Sequence, residues 1–553
     1  MTRNSVRSAR NGIRITAGLG SLLSFLITGC GMQAAQLPPP DWTQLATGLE
    51  QPQQTEYLGQ GDGGLLHVSY YGIKVGTPQF MALPAAEQSK LVKLQQSILH
   101  SVKFQPTVEL PGWELTGVLV VRDSGQPERR QEIVLKVPKG WNGRLAVAGT
   151  PGTRSEFASE AVLASWLLQR GYAYVAGNKG MTNGGADGNL TLLGKTHATQ
   201  HWGVMMLDLA SWAQQSLRAA TGMTPTQTYA VGLSNGGYQV RRALELDHQR
   251  VQKQAPRLFS GGIEWAGVYW PDARVLDKDR SGSVTPAEYL TAMPLVSSNE
   301  QAALTMGYQY DAATRTTTKA FAESPPFSAA HAGMKTAGFA APSAILWGAY
   351  NSLFDSLKSK IPGYKGVGYY NLTAYYYRAD LLGHDAKESA PYSCFLPDGA
   401  QRPPFYDYLA TAVDAGWTSE SVNWALKNAN TAEFSAPLIS LHGDRDALIG
   451  VLSHGYAYDD AVKAYGNPAL HRLYVIENGN HVDAHADGFL DYNVNGQAGE
   501  EGMADLLTPM QPYVERAFDL LTDWVEKGQA PRPSRTIATD PKNDIVDAKL
   551  IDL

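Results

Sequence analysis

Ser234 lies in the run Tyr229-Ala-Val-Gly232-Leu-Ser234-Asn-Gly236-Gly237, which reads G-x-S-x-G. An apolar, strand-like stretch precedes it and a helical spacing follows. A serine on a tight strand-to-helix turn is held in a strained backbone conformation with its hydroxyl exposed. The glycines two positions to either side let neighbouring backbone pass closely. The amide of Asn235 would then open a helix N-terminus, where negative charge is favoured. A hydroxyl is a weak nucleophile at neutral pH, so this serine needs a base. His481 ends the turn Glu477-Asn-Gly-Asn-His481 after the apolar run His471–Ile476, and His485 is the other candidate base. Two acids, Asp444 and Asp446, stand in His442-Gly443-Asp444-Arg445-Asp446 after Leu438–Leu441. Either acid could orient an imidazole and stabilise the imidazolium that forms when it takes the serine proton. His442 reads as support for that loop. The duller reading makes the aspartates helix caps and His481 a turn residue.

These side chains need a frame. Trp113–Arg122 and Gln131–Val137 read as strands joined by a polar turn. From Leu145 onward apolar runs alternate with helical patterns. Strands are expected at Leu145–Gly149, Tyr172–Ala176, Thr228–Leu233, Gly261–Val268, Pro437–His442 and His471–Glu477. Helices are expected at Phe157–Arg170, Val204–Ala220, Gly236–Asp247, Gly455–Tyr465 and Leu506–Lys527. Alternation of this kind predicts an α/β fold, a mostly parallel sheet with helices on both faces. It stops over 271–432, a stretch too long for a structureless loop, which is read as an inserted cap. That segment carries Tyr369-Tyr370, Tyr375-Tyr376-Tyr377 and Trp417, aromatics suited to a core or to aryl and polymeric chains.

The chain order Ser, Asp, His around G-x-S-x-G resembles the α/β-hydrolase superfamily over about residues 110–530, apart from the insertion. In order and size the chain is similar to tannase/feruloyl-esterase-like and hydroxyalkanoate-oligomer hydrolases. The family's H-G-x-x-D pattern places Asp446 as the catalytic acid and Asp444 as a spacer, with Asp444 the fallback. The resemblance therefore implies Ser234, Asp446 and His481 as a triad. Ala148-Gly149-Thr150-Pro151-Gly152 resembles the family's H-G-G-P-G loop, which implies Thr150 and Asn235 as the two oxyanion amides, since Pro151 has no N–H. In the tannase family a disulfide joins the residue before the nucleophile to one beside the histidine, whereas Leu233 and Asn480 stand at those places here.

Asp277-Lys-Asp279-Arg-Ser281-Gly282-Ser283-Val284-Thr285-Pro-Ala-Glu288 fits the twelve-residue EF-hand pattern. Oxygens fall at Asp277, Asp279, Ser281, Thr285 and Glu288, the Ser283 carbonyl completes the set, and Gly282 allows the sharp turn. A structural Ca²⁺ is expected there. Thr285-Pro286-Ala-Glu288 is equally a helix capping box, and the two readings coexist. No second loop of this kind occurs in the sequence, which argues against a calcium sensor. His197 and His201 stand at helical spacing, but no third ligand accompanies them. They are expected at most near the mouth of the site. No organic cofactor is expected.

The chain has 553 residues, 46 Lys+Arg and 52 Asp+Glu, for a net charge of −6. With 43% apolar residues it can bury a large core, and without a basic run it is not expected to bind nucleic acid. Four arginines, an apolar run over 15–27 and Thr28-Gly29-Cys30 give a signal peptide over 1–29 of lipoprotein type, with Cys30 the expected lipid-bearing residue. Ordinary cleavage near Ala34-Ala35 is the alternative. The remaining organisation is a tether over 30–60, a core over 61–270 and 433–528, the cap over 271–432 and a poorly ordered tail over 529–553. Cys394 is expected to be an inert thiol.

The expected function is a secreted or lipid-anchored serine hydrolase that cleaves carboxylic esters through an acyl-enzyme, with a bulky or oligomeric ester as substrate. Its expected location is the bacterial outer membrane, the periplasm or the extracellular space. Two alternatives remain: a serine peptidase of the prolyl type on the same core, and a non-catalytic, calcium-stabilised binding lipoprotein.

Overall fold

The computed structural model describes residues 39–95, 100–152, 154–181, 198–277, 280–284, 309–311, 316–319, 426–444, 446, 449, 451–485, 507–543 and 547–553. Its strands are β1 Leu49–Tyr57, β2 Gly112–Val121, β3 Arg129–Pro138, β4 Arg144–Gly149, β5 Ala173–Gly177, β6 Gln227–Leu233, β7 Gly261–Trp265, β8 Gln309–Asp311, β9 Thr316–Lys319, β10 Leu438–Gly443, β11 His471–Ile476 and β12 Arg535–Ile537. Its α-helices are α1 Pro78–Met81, α2 Ala85–Gln95, α3 Ser165–Gln169, α4 Trp202–Thr221, α5 Asn235–Gln252, α6 Ala273–Leu276, α7 Ala457–Tyr465 and α8 Gln511–Lys527.

Ten strands form one sheet in the order β1-β2-β3-β5-β4-β6-β7-β10-β11-β12. The pairings from β1 to β5 are antiparallel and all later ones parallel. This is the α/β architecture that the alternating pattern predicts. Period-two alternation sorts the strand side chains between two cores. Ala146, Tyr174, Val231 and Ile439 pack with Trp166, Phe518 and Leu521 on one face. Leu145, Val175, Ala230 and Leu438 pack with Leu209, Val240 and Tyr458 on the other. Both faces are covered, so the central strands are apolar throughout, as parallel strands require.

The chain leaves β4 toward β5 on one side and later returns past β4 to β6 on the other. The order therefore reverses between β4 and β6. Crevices at such a reversal, outside the carboxyl ends of the strands, are where α/β sheets place their ligands. The loops that leave these two ends carry Thr150 and Ser234.

Two expectations are corrected at the ends of the chain. Residues 42–57, read as tether, are part of the domain: Trp42 stacks on Trp113 at 4.2 Å, Leu45 is fully buried, and β1 pairs with β2. Its side chains are mostly exposed, so hydrogen bonding at a sheet edge, not apolar burial, holds it, and the Gln-rich sequence conceals the strand. The tail is also built in. β12 extends the sheet parallel to β11, and Ile551 and Leu553 sit in the core.

The insertion expected over 271–432 lies largely outside the described residues. Its two ends are tied together: Asn430 N donates to Trp270 O at 2.6 Å, and Trp270 N donates to Asn430 Oδ1 at 3.0 Å. β7 and β10 on either side of it are adjacent and parallel, so the sheet closes without it.

Candidate active site

Ser234 follows β6 directly and caps α5, with φ 61° and ψ −122°. Such a backbone costs on the order of 1–3 kcal/mol and persists only where its surroundings enforce it. Here they do. Ser234 N donates to Trp265 O at 2.9 Å, and Val268 N donates to Ser234 O at 3.2 Å. Gly236 is required by close approach, because a Cβ there would meet Gly149 O at 2.0 Å. Strain recurs along this edge of the sheet. Lys179, Ser234, Ala266 and Asn478 all have φ between 48° and 61°, and each lies just past the carboxyl end of a strand, β5, β6, β7 and β11 respectively.

Asp446 and His481 come together at the same edge. His481 Nδ1 lies 2.7 Å from Asp446 Oδ2, and both residues are buried. Nδ1–H is thus the donor to the carboxylate, and Nε2 keeps the lone pair that a base needs. The other carboxylate oxygen accepts from Ile449 N at 2.7 Å. Asp444, the fallback acid, is exposed and accepts from Asn478 N at 2.7 Å, tying the acid loop to the histidine loop. The two loops pack so closely that a Cβ on Gly443 would meet Gly479 O at 2.2 Å. His442 supports the loop as expected, with Nε2–H donating to Ile449 O at 2.6 Å, and burial holds it below the usual histidine range and therefore neutral. The histidine loop is also anchored from behind, where Asp483 accepts from Met510 N at 2.6 Å and Gln511 N at 2.8 Å at the start of α8.

The nucleophile is placed but not yet engaged. Among the described residues no hydrogen bond joins Ser234 Oγ to His481. Contacts of this kind often form fully only with substrate in place. The side chain of His485 lies outside the described residues, so the structure pairs only His481 with the acid.

The expected oxyanion residues flank the elbow. Asn235 is the first residue of α5. The Thr150 amide lies 3.0 Å from where a Gly236 Cβ would stand. Thr150 is fully buried, and its hydroxyl donates to Gly177 O at 3.0 Å. Beneath this loop is a residue the sequence reading missed, Lys179. Its ammonium donates to Thr150 O and, at 2.7 Å, to Gly152 O, and it lies 4.8 Å from the centre of the Trp202 ring. Burial, reinforced by the Arg154 charge, pushes it well below the usual lysine range. Its only forecast was a lysine two residues past an apolar strand.

A second missed feature lies under the elbow. Arg241 and Glu264 are both fully buried, and Arg241 Nη2 donates to Glu264 Oε1 at 2.5 Å. Burial alone would raise the Glu264 carboxyl, but the Arg241 charge overrides it and holds the group below the ordinary carboxylate range. Glu264 Oε2 accepts from Gly267 N at 2.6 Å, which fixes the turn that carries the Val268 amide to Ser234. The lone acid in the apolar strand β7 was the available signal.

A Ser-His-Asp relay occurs a second time. Ser440 Oγ lies 2.9 Å from His471 Nε2, and His471 Nδ1 lies 3.0 Å from Asp459 Oδ1. All three are buried, and Ser440 and His471 lie within β10 and β11 instead of past their carboxyl ends, so this relay does not stand at the edge where Ser234, Asp446 and His481 lie. Burial makes His471 a neutral core residue.

Of the expected calcium loop, Asp277, Ser281 and Ser283 are described, and Asp279, Thr285 and Glu288 lie outside the described residues. Asp277 accepts from Ser281 N at 2.9 Å and Gly282 N at 2.8 Å, and Gly282 turns with φ 84°. Its carboxylate therefore draws the loop around itself. His201 opens α4 as its N-cap, while His197, Cys30 and Cys394 lie outside the described residues. Among the described residues, no three His, Cys, Asp or Glu side chains gather to hold a metal ion, and no helix is long and apolar enough to cross a membrane.

No protein-family model and no curated protein sequence matches this chain. Similar solved structures include tannin acyl hydrolase from Aspergillus niger, at 13% identity over 89% of both chains with a TM-score of 0.41. Feruloyl esterase B from Aspergillus oryzae matches at 12% identity over 76% of this chain and 82% of its own, with a TM-score of 0.36. The rice cell wall degrading esterase LipA from Xanthomonas oryzae matches at 12% identity over 68% and 86%, with a TM-score of 0.35. Likenesses this loose carry no argument about the site, which rests on its own geometry.

Proposed function

We propose that the protein is a serine hydrolase that cleaves carboxylic esters through an acyl-enzyme. The observation that carries this reading is the Asp446–His481 pair at 2.7 Å, set at the same sheet edge as a serine in a strained elbow. In the reaction, Ser234 Oγ attacks the ester carbonyl carbon while His481 Nε2 takes its proton. The carbonyl π pair moves to oxygen, where the amides of Asn235 and Thr150 receive the charge. Collapse expels the alcohol, which leaves with the proton from His481. Water, deprotonated by the same imidazole, then attacks the acyl-enzyme and frees the acid and Ser234. Asp446 holds the Nδ1–H tautomer throughout.

The ester is bulky or oligomeric, as the aromatic insertion and the resemblance to tannase/feruloyl-esterase-like and hydroxyalkanoate-oligomer hydrolases imply. The chain is exported and anchored by lipid on Cys30, and a Ca²⁺ ion held by Asp277, Asp279, Ser281, Ser283, Thr285 and Glu288 stabilises the insertion. Turnover of p-nitrophenyl esters against aminoacyl-nitroanilides, with Ser234→Ala as control, tests the reaction. Ester cleavage lost in Ser234→Ala supports it. Preference for nitroanilides makes the protein a peptidase, and no turnover of either by the folded chain makes it a binding protein.

A further inference from the structure

Lys179 is an unusual residue to find where it stands. It adopts φ 60°, which favours glycine, directly before Gly180 in the chain. It is 1% exposed, and among the described residues its Nζ meets backbone carbonyls and no carboxylate. Keeping charge on a lysine buried this deeply is costly, and burial draws it toward the neutral amine, so what fixes its Nζ is the set of acceptors around it. Its donors go to the carbonyls of Thr150 and Gly152, on either side of Pro151, and to the face of Trp202. Drawing these carbonyls down fixes the loop, and the Thr150 nitrogen lies close to the elbow at Gly236. Within one residue the amide nitrogen and carbonyl oxygen are only about 3 Å apart, so the ammonium sits one peptide behind the oxyanion position.

Resting on the hydrolase reading, we propose that Lys179 is a positioning residue for the oxyanion site. Its Nζ donors orient the Thr150 peptide, and among the described residues no carboxylate offsets the positive charge it offers as the substrate carbonyl becomes an oxyanion. Charge that develops in a dry, low-dielectric site responds strongly to a fixed ion placed this way. The side chain of Arg154 packs by Gly152 and adds positive potential of the same sign. The benefit falls on the transition state and not on ground-state binding, because the ester carbonyl is neutral until attack.

The test is Lys179→Met, which removes the charge at similar length, beside Lys179→Arg, which keeps it. Wild type and variants are compared for kcat and KM on a p-nitrophenyl ester, for affinity to an alkyl boronic acid that mimics the oxyanion, and for melting temperature. Lys179→Met should lose roughly ten- to hundredfold in kcat with KM changed less than about threefold. Boronate affinity should fall in step, the melting temperature should not drop, and Lys179→Arg should recover part of the loss. If the Met variant does not fold, Lys179→Gln takes the same measurements. Unchanged kcat and boronate affinity in a folded variant overturn the proposal. So does an equal loss in the Met and Arg variants with a lowered melting temperature, which would make Lys179 a packing residue. A wild type that neither hydrolyses esters nor takes a phosphonate on Ser234 overturns the hydrolase reading instead, and the role of the lysine with it.

Discussion

Asp446 Oδ2 receives the Nδ1–H of His481 at 2.7 Å, while Asp444, two residues earlier, is tied to a backbone amide. Two aspartates on one loop therefore have separable tasks. Asp446→Asn should lower kcat by about 10⁴-fold by presenting the wrong tautomer to the base, and Ser234→Ala by at least as much. Asp444→Asn should cost under about 1.5 kcal/mol of stability and leave kcat within about threefold. Steady-state ester hydrolysis with melting curves checks all three, and a severe kcat loss in Asp444→Asn would reverse the assignment.

The Arg241–Glu264 pair should behave as a buried ion pair that holds the elbow. Removing one partner leaves an uncompensated charge, so Arg241→Met or Glu264→Gln should destabilise by about 3–5 kcal/mol. The double substitution Arg241→Met/Glu264→Met should cost less than the sum of the single changes. A double-mutant cycle on unfolding free energies measures the coupling. A coupling near zero would mean that the pair acts independently of each other and that the elbow is held by its backbone bonds alone.

The parts of this structure legible in the sequence are those with a period or a spacing. Central strands such as β4, β6 and β10 are apolar on both faces, and their helices follow at 3.6-residue spacing, so the sheet and its order of elements could be read. Ser234, Asp446 and His481 each stand just past a strand, and two of the three are joined in the structure. Features that depend on distant pairing were not legible. β1 and β12 are polar edge strands whose partners lie far away in the chain. The buried cluster of His67, Glu114, Lys136 and Glu160 links four separate segments, with His67 Nδ1 and Lys136 Nζ each 2.6 Å from a Glu160 oxygen. In a linear reading each of those charges looks solvated. The same holds for the second relay of Ser440, His471 and Asp459, which its place within β10 and β11, and not past their carboxyl ends, distinguishes from the candidate triad.

Acid should destabilise the fold in two stages. His442 and His471 are held below their ordinary value of 6.5 by burial, so the folded state keeps them neutral. The unfolded chain binds protons first as pH falls, and the stability present above about 6.5 is lost below it. Burial would raise the Glu114 carboxyl, but His67 and Lys136 hold it well below its ordinary 4.5, so its contribution is lost only at lower pH. Melting temperature should fall from pH 6.5 to 5 and again below 4.5. The variant His442→Gln/His471→Gln, weaker at pH 7.5, should show a shallower slope in the first window. An equal slope would place that window's protons on other groups.

Calcium should act on stability more than on chemistry. The Asp277 carboxylate already gathers the amides of Ser281 and Gly282, so the turn is formed by the chain and an ion would find its first ligand in place. The loop leaves the core just after α6, on the insertion side of β7 and away in sequence from Ser234, Asp446 and His481. For a site of Kd about 10⁻⁵ M, millimolar Ca²⁺ stabilises the folded state by nearly 3 kcal/mol, and a tenfold weaker site still gives about 1.4 kcal/mol. Chelator should therefore lower the melting temperature by a few degrees while ester turnover at 25 °C stays within about twofold. Glu288→Gln should remove most of the calcium-dependent shift, because it takes away the bidentate ligand. A melting temperature indifferent to both calcium and chelator would reduce the loop to a capped turn, and the loss of turnover without loss of stability would move the ion to the active site.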